Sequence, residues 1–138
     1  MLFIFDENYS HYLADGLNLL EGGNDRSPIR AGATHILTLT KGVTGIPDEE
    51  VIEIVGKHKG ILFTKDKDFK QIKHYYQLYK QHNIGVVFFE SSRKPLLYWD
   101  YIKIFIEKWE DLKILIDKET APFAIKIPKQ GGAQKLSF

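Results

Sequence analysis

Short apolar runs alternate with longer segments of helical spacing along the whole chain, and this alternation constrains the fold more than any other feature. The runs that predict strands are residues 2–5, 35–40, 61–64, 85–89 and 124–128. The segments that predict helices are residues 9–20, a stretch opening at Pro47, residues 69–82 and residues 96–116. Strands separated by helices favour a parallel sheet with right-handed crossovers and helices on both faces. We therefore predict an α/β fold with three α/β/α layers and a mostly parallel central sheet. If the strand order is 2-1-3-4, strands one and three are neighbours and Asp6 and Asp66 flank the point where the helices change face.

A chain of 138 residues is the size of one domain and can bury a core without disulfides. We expect that domain to cover residues 1–128 and to be followed by a loose Gly- and Lys-containing tail, residues 129–138. Pro128 ends the last predicted strand, and a proline there is typical of an edge strand.

Composition excludes several classes of protein. The absence of cysteine excludes thiol catalysis, zinc-thiolate sites and disulfide scaffolds. The first residues have no basic leader, so we expect no signal peptide, and no apolar run approaches the roughly 20 residues that a membrane helix needs. We therefore expect a soluble, cytoplasmic protein with no membrane contact.

Carboxylates follow two of the predicted strands directly. Asp6 comes after the first strand, and Asp66 and Asp68 come after the third. The carboxyl ends of parallel strands meet at one edge of a sheet, where ligands bind. We expect one of Asp48, Glu49 and Glu50 to reach the same edge from the start of a helix. Close carboxylates repel unless a divalent cation neutralises them, and all-oxygen ligands favour Mg²⁺ or Mn²⁺. We predict that Asp6, Asp66 and Asp68 share one metal site.

Cations surround the second acidic pair. Lys65, Lys67, Lys70 and Lys73 lie beside or between Asp66 and Asp68, although the net charge of the whole chain is only +1. A metal-dependent enzyme acting on a phosphodiester needs carboxylates for the metal and cations for the substrate backbone. These four lysines are therefore candidate substrate contacts, and the alternative is a solvated, Lys-rich helix face.

Each candidate residue also has a structural explanation. Any of these aspartates could cap a helix, since Asp is favoured at that position. The five histidines show no ligand spacing and are expected to be structural or on the surface. Three tyrosines, Tyr75, Tyr76 and Tyr79, could stack on bases, but their helical spacing favours core packing.

Three segments together resemble a known family: Phe-Asp-Glu-Asn at 5–8, Pro-Asp-Glu-Glu-Val-Ile at 47–52 and Ile-Leu-Phe-Thr-Lys-Asp-Lys-Asp-Phe at 61–69. They are similar to PIN-like nuclease domains, and most similar to the toxins of VapC-type toxin–antitoxin pairs. The resemblance implies a Mg²⁺- or Mn²⁺-dependent endoribonuclease acting on RNA. Its acids match Asp6, Asp66 and Asp68, and the remaining catalytic acid matches Asp48 or Glu49, with Glu50 close by. A cognate antitoxin protein and a second copy of the chain are the candidate protein partners.

Two other classes stay open on the sequence. The first is a phosphatase or phosphotransferase, which would use an Asp-x-Asp pair after a strand with the first Asp as nucleophile. Asp66 and Asp68 are placed in this way. A PIN-like binding module without catalytic activity is the second. Activity on small phosphomonoesters would favour the former, and failure to bind a divalent metal would favour the latter.

Overall fold

The structure is a computed structural model that describes residues 1–90 and 94–138. The described elements, in chain order, are β1 Leu2–Phe5, α1 His11–Gly22, β2 Gly32–His35, α2 Ile36–Leu39, α3 Asp48–Lys57, β3 Ile61–Thr64, α4 Phe69–His74, α5 Tyr76–His82, β4 Gly85–Phe89, α6 Tyr98–Asp117, β5 Phe123–Ile127 and β6 Gln134–Leu136. Within these ranges the strands form a single sheet in the order β2-β1-β3-β4-β5-β6. Neighbouring strands are parallel except β5 and β6. The predicted α/β fold is confirmed, and the first four strands have the order 2-1-3-4 that the sequence left as a condition.

The sheet separates two hydrophobic cores because successive side chains of a strand point to opposite faces. Phe3 and Phe5 pack on one face with α1 and α6, whereas Ile4 between them packs on the other face with α3, α4 and α5. The rings of Phe3 and Phe5 lie 4.5 and 4.8 Å from the ring of Phe63 on the neighbouring strand. The helices that follow β1 and β3 therefore lie on opposite faces, and the carboxyl ends of these two strands form the crevice that such a switch of faces creates.

The second strand differs from the prediction of residues 35–40. The strand ends at His35, and residues 36–39 form the short helix α2. The His35 ring explains the change, because its Nδ1 accepts from the amide of Leu37 at 3.1 Å and its Nε2 lies 2.8 Å from the carbonyl oxygen of Tyr9. A short apolar run does not distinguish a strand from a buried helical turn.

The C-terminal segment also differs from the prediction. Residues 134–136, expected in a loose tail, form β6 and pair with β5, so β5 is not an edge strand. A turn at Gly131, with φ of +85°, precedes β6, and the ring of Phe138 packs 4.7 Å from that of Tyr76. The predicted helix 69–82 is likewise two helices, α4 and α5, which meet at Tyr75.

A buried polar network attaches the polar segment after α1 to helix α6. Lys113 is fully buried, and its ammonium lies 3.0 Å from Glu21, 2.8 Å from Glu110 and 2.9 Å from the carbonyl oxygen of Ile29. Such a cation is stable in a core only when its donors find acceptors, as they do here. None of the helices in residues 1–90 and 94–138 is both long and apolar enough to cross a membrane.

Candidate acidic site at the carboxyl ends of the strands

Asp6 follows β1 directly and is held by the neighbouring strand. Its amide donates to the carbonyl oxygen of Phe63 at 3.0 Å, and its carboxylate accepts from the amide of Asn8 at 3.0 Å and from the Thr64 hydroxyl. The residue is only 9% exposed. Burial raises the pKa of Asp6 to about 6, although hydrogen bonds from Thr64 and Asn8 oppose the shift. It does not cap α1, because the hydroxyl of Ser10 does so.

Asp48 lies across the same cavity from Asp6. It is the first residue of α3, and because the N-cap position belongs to Pro47, its carboxylate is not a capping group. One carboxylate oxygen lies 3.4 Å from the ammonium of Lys67 and 3.3 Å from the hydroxyl of Tyr75. The charge of Asp48 contributes to raising the pKa of Asp6, whereas the charge of Lys67 opposes the shift. The two carboxylates therefore interact electrostatically.

These residues enclose a small cavity that we call the acidic pocket. Its volume is about 170 Å³, and its polar lining consists of Asp6, Glu7, Asn8, Asp48, Thr64, Lys67, Tyr75 and Tyr79. The floor is apolar and comes from β3 and α3. Of these residues, sequence reasoning missed the functional relevance of Glu7 and Thr64. Thr64 is the last residue of β3, and only the register that pairs β3 with β1 brings its hydroxyl to Asp6.

Asp68 occupies the N-cap of α4 in a reciprocal capping box. Its carboxylate accepts from the amide of Gln71 at 2.8 Å, and the side chain of Gln71 accepts from the amide of Asp68 at 2.8 Å. Asp68 therefore has the helix-capping role that the sequence offered as its structural explanation.

Asp66 is not among the residues that line the acidic pocket. Its backbone is left-handed, with φ of +61°, and its exposed side chain lines a second cavity of about 250 Å³ with Glu90 and Tyr101. The described residues contain no group of three acidic, histidine or cysteine side chains that could hold a metal ion. The convergence of Asp6, Asp66 and Asp68 on one metal site stays a prediction, since Asp66 lines a different cavity from Asp6 and Asp68 caps α4. Both Asp6 and Asp66 still raise the pKa of Tyr9, after the larger effect of burial, so they border the same end of the sheet.

The remaining predicted residues divide between two sides of the site. Glu49 and Glu50 are exposed in the first turn of α3, outside the lining of the acidic pocket. Lys67, Lys70 and Lys73 lie along one groove beside Asp48. Lys65 lies elsewhere, with its ammonium 4.3 Å from the centre of the Tyr101 ring and 5.4 Å from that of Tyr9.

The family model of the PIN-like domain matches residues 1–91. The chain belongs to the PIN-like domain family. No curated protein and no solved structure matches the chain significantly. In this PIN-like domain the matched part contains Asp6, Asp48, Asp66 and Asp68, whereas α6, β5 and β6 lie outside it.

The acidic pocket of this PIN-like domain has the donor set of a hard divalent cation. Two carboxylates from Asp6 and Asp48 line it, together with the side-chain oxygens of Asn8 and Thr64, and the described part of the chain has no thiolate. Mg²⁺ is usually held by one or two protein carboxylates and keeps several of its waters, so two carboxylates suffice. The raised pKa of Asp6 fits as well, since a nearby cation would offset the cost of burying its charge.

Proposed function

We propose that this PIN-like domain is a metal-dependent endoribonuclease that hydrolyses phosphodiester bonds at the acidic pocket. The observation that supports it most is the pair of Asp6 and Asp48 across one cavity, with Asp6 buried and its pKa raised to about 6. Asp6 forms no direct ion pair with any described residue, and a desolvated carboxylate of this kind is costly in a purely structural role and occurs preferentially at functional sites.

Asp6 and Asp48 would hold Mg²⁺ or Mn²⁺. When bound, the cation would lower the pKa of a water and stabilise negative charge on a phosphoryl oxygen. Thr64 and Asn8 fix the orientation of Asp6 by donating to its two oxygens. Lys67, half-buried beside Asp48, provides a positive charge at the rim of the pocket, where a substrate phosphate would enter.

The other predicted acids have separate parts in the proposal. Asp66 and Asp68 retain their predicted role as additional acids of the site, and Glu49 retains its role as an alternative to Asp48. Asp66 borders the same end of the sheet and is free of capping contacts, so it is the better candidate for a third acid. Asp68 would have to leave its capping box.

Cleavage of structured and single-stranded RNAs, measured with Mg²⁺, with Mn²⁺ and with a chelator, tests the proposal. Asp6→Asn and Asp48→Asn should each lower the rate by at least about 100-fold, the usual scale of losing a group that positions or activates the nucleophile. Asp25→Asn, an exposed acid outside the pocket, is the matched control. Metal-independent cleavage, or full activity of Asp6→Asn, would contradict the proposal.

The two rival classes are tested with the same proteins. A phosphotransferase would release phosphate from small phosphomonoesters and lose this activity in Asp66→Asn. A binding module without catalysis would show no heat of Mn²⁺ binding by calorimetry. If the domain is also a VapC-type toxin, expression of the intact chain should arrest growth of a host cell, whereas Asp6→Asn should not.

A further inference from the structure

A larger open groove adjoins the acidic pocket along helix α4. We call it the basic groove. It has a volume of about 510 Å³ and is lined by Asp48, Lys67, Lys70, Gln71, Lys73, His74 and Tyr75. Three of these residues, Asp48, Lys67 and Tyr75, also line the acidic pocket, so one extended ligand can occupy both.

The sizes of the two cavities assign them different parts of a ligand. Small-ligand sites are typically about 300–1,000 Å³. The acidic pocket, at about 170 Å³, is below that range and has space for the reacting group alone. The basic groove, at about 510 Å³, lies within the range and has space for the residues of a chain on one side of that group.

The charges along the basic groove are mostly uncompensated. Its one lining acid is Asp48, and Lys67 already lies 3.4 Å from that carboxylate. Lys70 and Lys73 are exposed, and neither forms an ion pair with any residue of the ranges 1–90 and 94–138. The Lys73 ammonium lies 5.8 Å from the centre of the Phe69 ring, a contact that leaves its charge uncompensated. Two ammonium groups without ion pairs would attract a polyanion whose backbone continues past the acidic pocket.

An aromatic surface completes the basic groove. Tyr75 is half-buried at the junction of α4 and α5, where its hydroxyl contacts Asp48. The His74 ring packs edge-on 4.9 Å away from the Tyr75 ring. Ring faces beside backbone-binding cations are the combination by which proteins bind single strands, because an unpaired base can stack on a protein ring, whereas bases inside a duplex are covered by the neighbouring base pairs.

We propose that the basic groove binds a single-stranded polynucleotide, with its phosphates on Lys70 and Lys73 and a base against Tyr75. The nuclease role proposed above then makes this the groove that leads the scissile phosphodiester to Asp6 and Asp48. Lys65, which lies over Tyr101 instead, is not part of this path. An acidic protein segment would match the two lysines but would make no use of a stacking surface.

Binding without cleavage tests the groove independently of the nuclease activity. The probes are a labelled oligouridylate, the corresponding deoxyribo-oligonucleotide and a blunt RNA duplex, each titrated with chelator present. Lys70→Ala/Lys73→Ala is compared with Lys57→Ala/Lys80→Ala, which removes the same charge from exposed positions outside the groove. Circular dichroism confirms that each variant is folded.

Removing two backbone contacts should lower the slope of log affinity against log salt by about 1.4, at about 0.7 for each contact with a single strand. The ratio of the wild-type affinity to the affinity of the groove variant should then be about sevenfold larger at about 50 mM salt than at about 200 mM salt. The control variant should retain the wild-type slope. Equal slopes for both double variants, or tighter binding of the duplex than of the single strand, would overturn the proposal.

The aromatic contact has its own comparison. Tyr75→Leu should weaken single-strand binding about fivefold or more, whereas Tyr75→Phe should bind nearly as wild type because it keeps the ring. Equal binding by all three proteins, or displacement of the oligonucleotide by polyglutamate at an equal concentration of charge, would show a general anion surface and overturn the proposal.

The groove proposal and the nuclease proposal can fail separately. If the groove variants bind RNA as wild type does and the protein still cleaves RNA with metal, the groove proposal is wrong and the nuclease proposal is unaffected. Equal affinity for the ribo- and deoxyribo-strands would support the proposed contacts, which are to the phosphates and a base and not to the 2′-hydroxyl.

Discussion

At the scale of single residues, Asp6 has the most unusual environment of the acids in the candidate site. Its carboxylate is buried, accepts two hydrogen bonds and faces the carboxylate of Asp48 across the acidic pocket. Burial raises its pKa from the ordinary 3.8 to about 6. The folded protein therefore binds a proton at Asp6 more tightly than the unfolded chain does, and this residue lowers stability at neutral pH.

Asp6→Asn should stabilise the metal-free protein at pH 7. The folded state holds the extra proton between about pH 4 and pH 6, so wild-type stability falls as the pH rises through this window and stays lower above it. The gain in the variant should be on the order of 3 kcal/mol at most, at about 1.4 kcal/mol for each pH unit that separates the two pKa values. It should vanish below about pH 4, where wild-type Asp6 is neutral in both states.

Urea denaturation in chelator at pH 4 and pH 7 measures this difference, with Asp25→Asn as the control. Excess Mg²⁺ should stabilise wild type and leave Asp6→Asn nearly unaffected, since binding to the folded state alone is stabilising. Lower stability of Asp6→Asn than of wild type at pH 7 without metal would show that the carboxylate is structural.

At the scale of elements, the short helix α4 depends on its first residues. It has six residues, too few for an isolated helix to be stable, and its capping box pairs Asp68 with Gln71. Lys73 lies in its last turn, where a positive charge interacts favourably with the helix dipole. The helix that lines the basic groove is therefore positioned by the residue that sequence reasoning assigned to the metal.

Asp68→Ala should cost about 0.5–2 kcal/mol in the free energy of unfolding, whereas Asp68→Asn should cost little because Asn is also a good N-cap. Lys70→Ala, on the same helix and exposed, is the control and should change stability by less than about 0.5 kcal/mol. Thermal unfolding and RNA cleavage are measured together. Asp68→Asn with wild-type stability and abolished cleavage would restore Asp68 to the catalytic acids and contradict a purely capping role.

At the scale of the whole molecule, helix α6 lies outside the region that matches the family model, yet it completes one of the two cores. Phe105 packs 5.4 Å from Phe5 and 5.9 Å from Phe63, so α6 covers the strands that deliver Asp6. The network around Lys113 joins α6 to α1 and to the segment before β2. Hydrogen bonds from Trp109, Lys113 and Asn24 outweigh the effect of burial and hold the pKa of Glu21 below its ordinary value.

Lys113→Met should destabilise the fold by about 1–3 kcal/mol, because Glu21 loses its buried cation and keeps only Arg30, at 3.4 Å, to compensate its charge. Adding Glu21→Gln to that variant should recover part of the loss, since the buried charge that only Arg30 still compensates is then removed. Lys103→Met, an exposed position on the same helix, is the control. Chemical denaturation at pH 7 measures all four proteins, and a loss below about 1 kcal/mol for Lys113→Met would mean that the ion pair contributes little net stability.

The sequence by itself determined the layers and the ends of β1, β3 and β4, because buried parallel strands are continuous apolar runs and the helices between them keep a helical period. It also placed Asp6 and one of Asp48, Glu49 and Glu50 at one edge of the sheet, since these positions follow from where a strand ends and a helix begins. Only the tertiary structure decided which acids meet. The left-handed turn at Asp66, the capping box at Asp68 and the hydroxyl of Thr64 depend on backbone dihedrals and strand register, which residue spacing does not specify. Contacts distant in sequence likewise decided two elements. Residues 36–39 form a helix beside His35, whose ring contacts Tyr9, and residues 134–136 form a strand because they pair with β5.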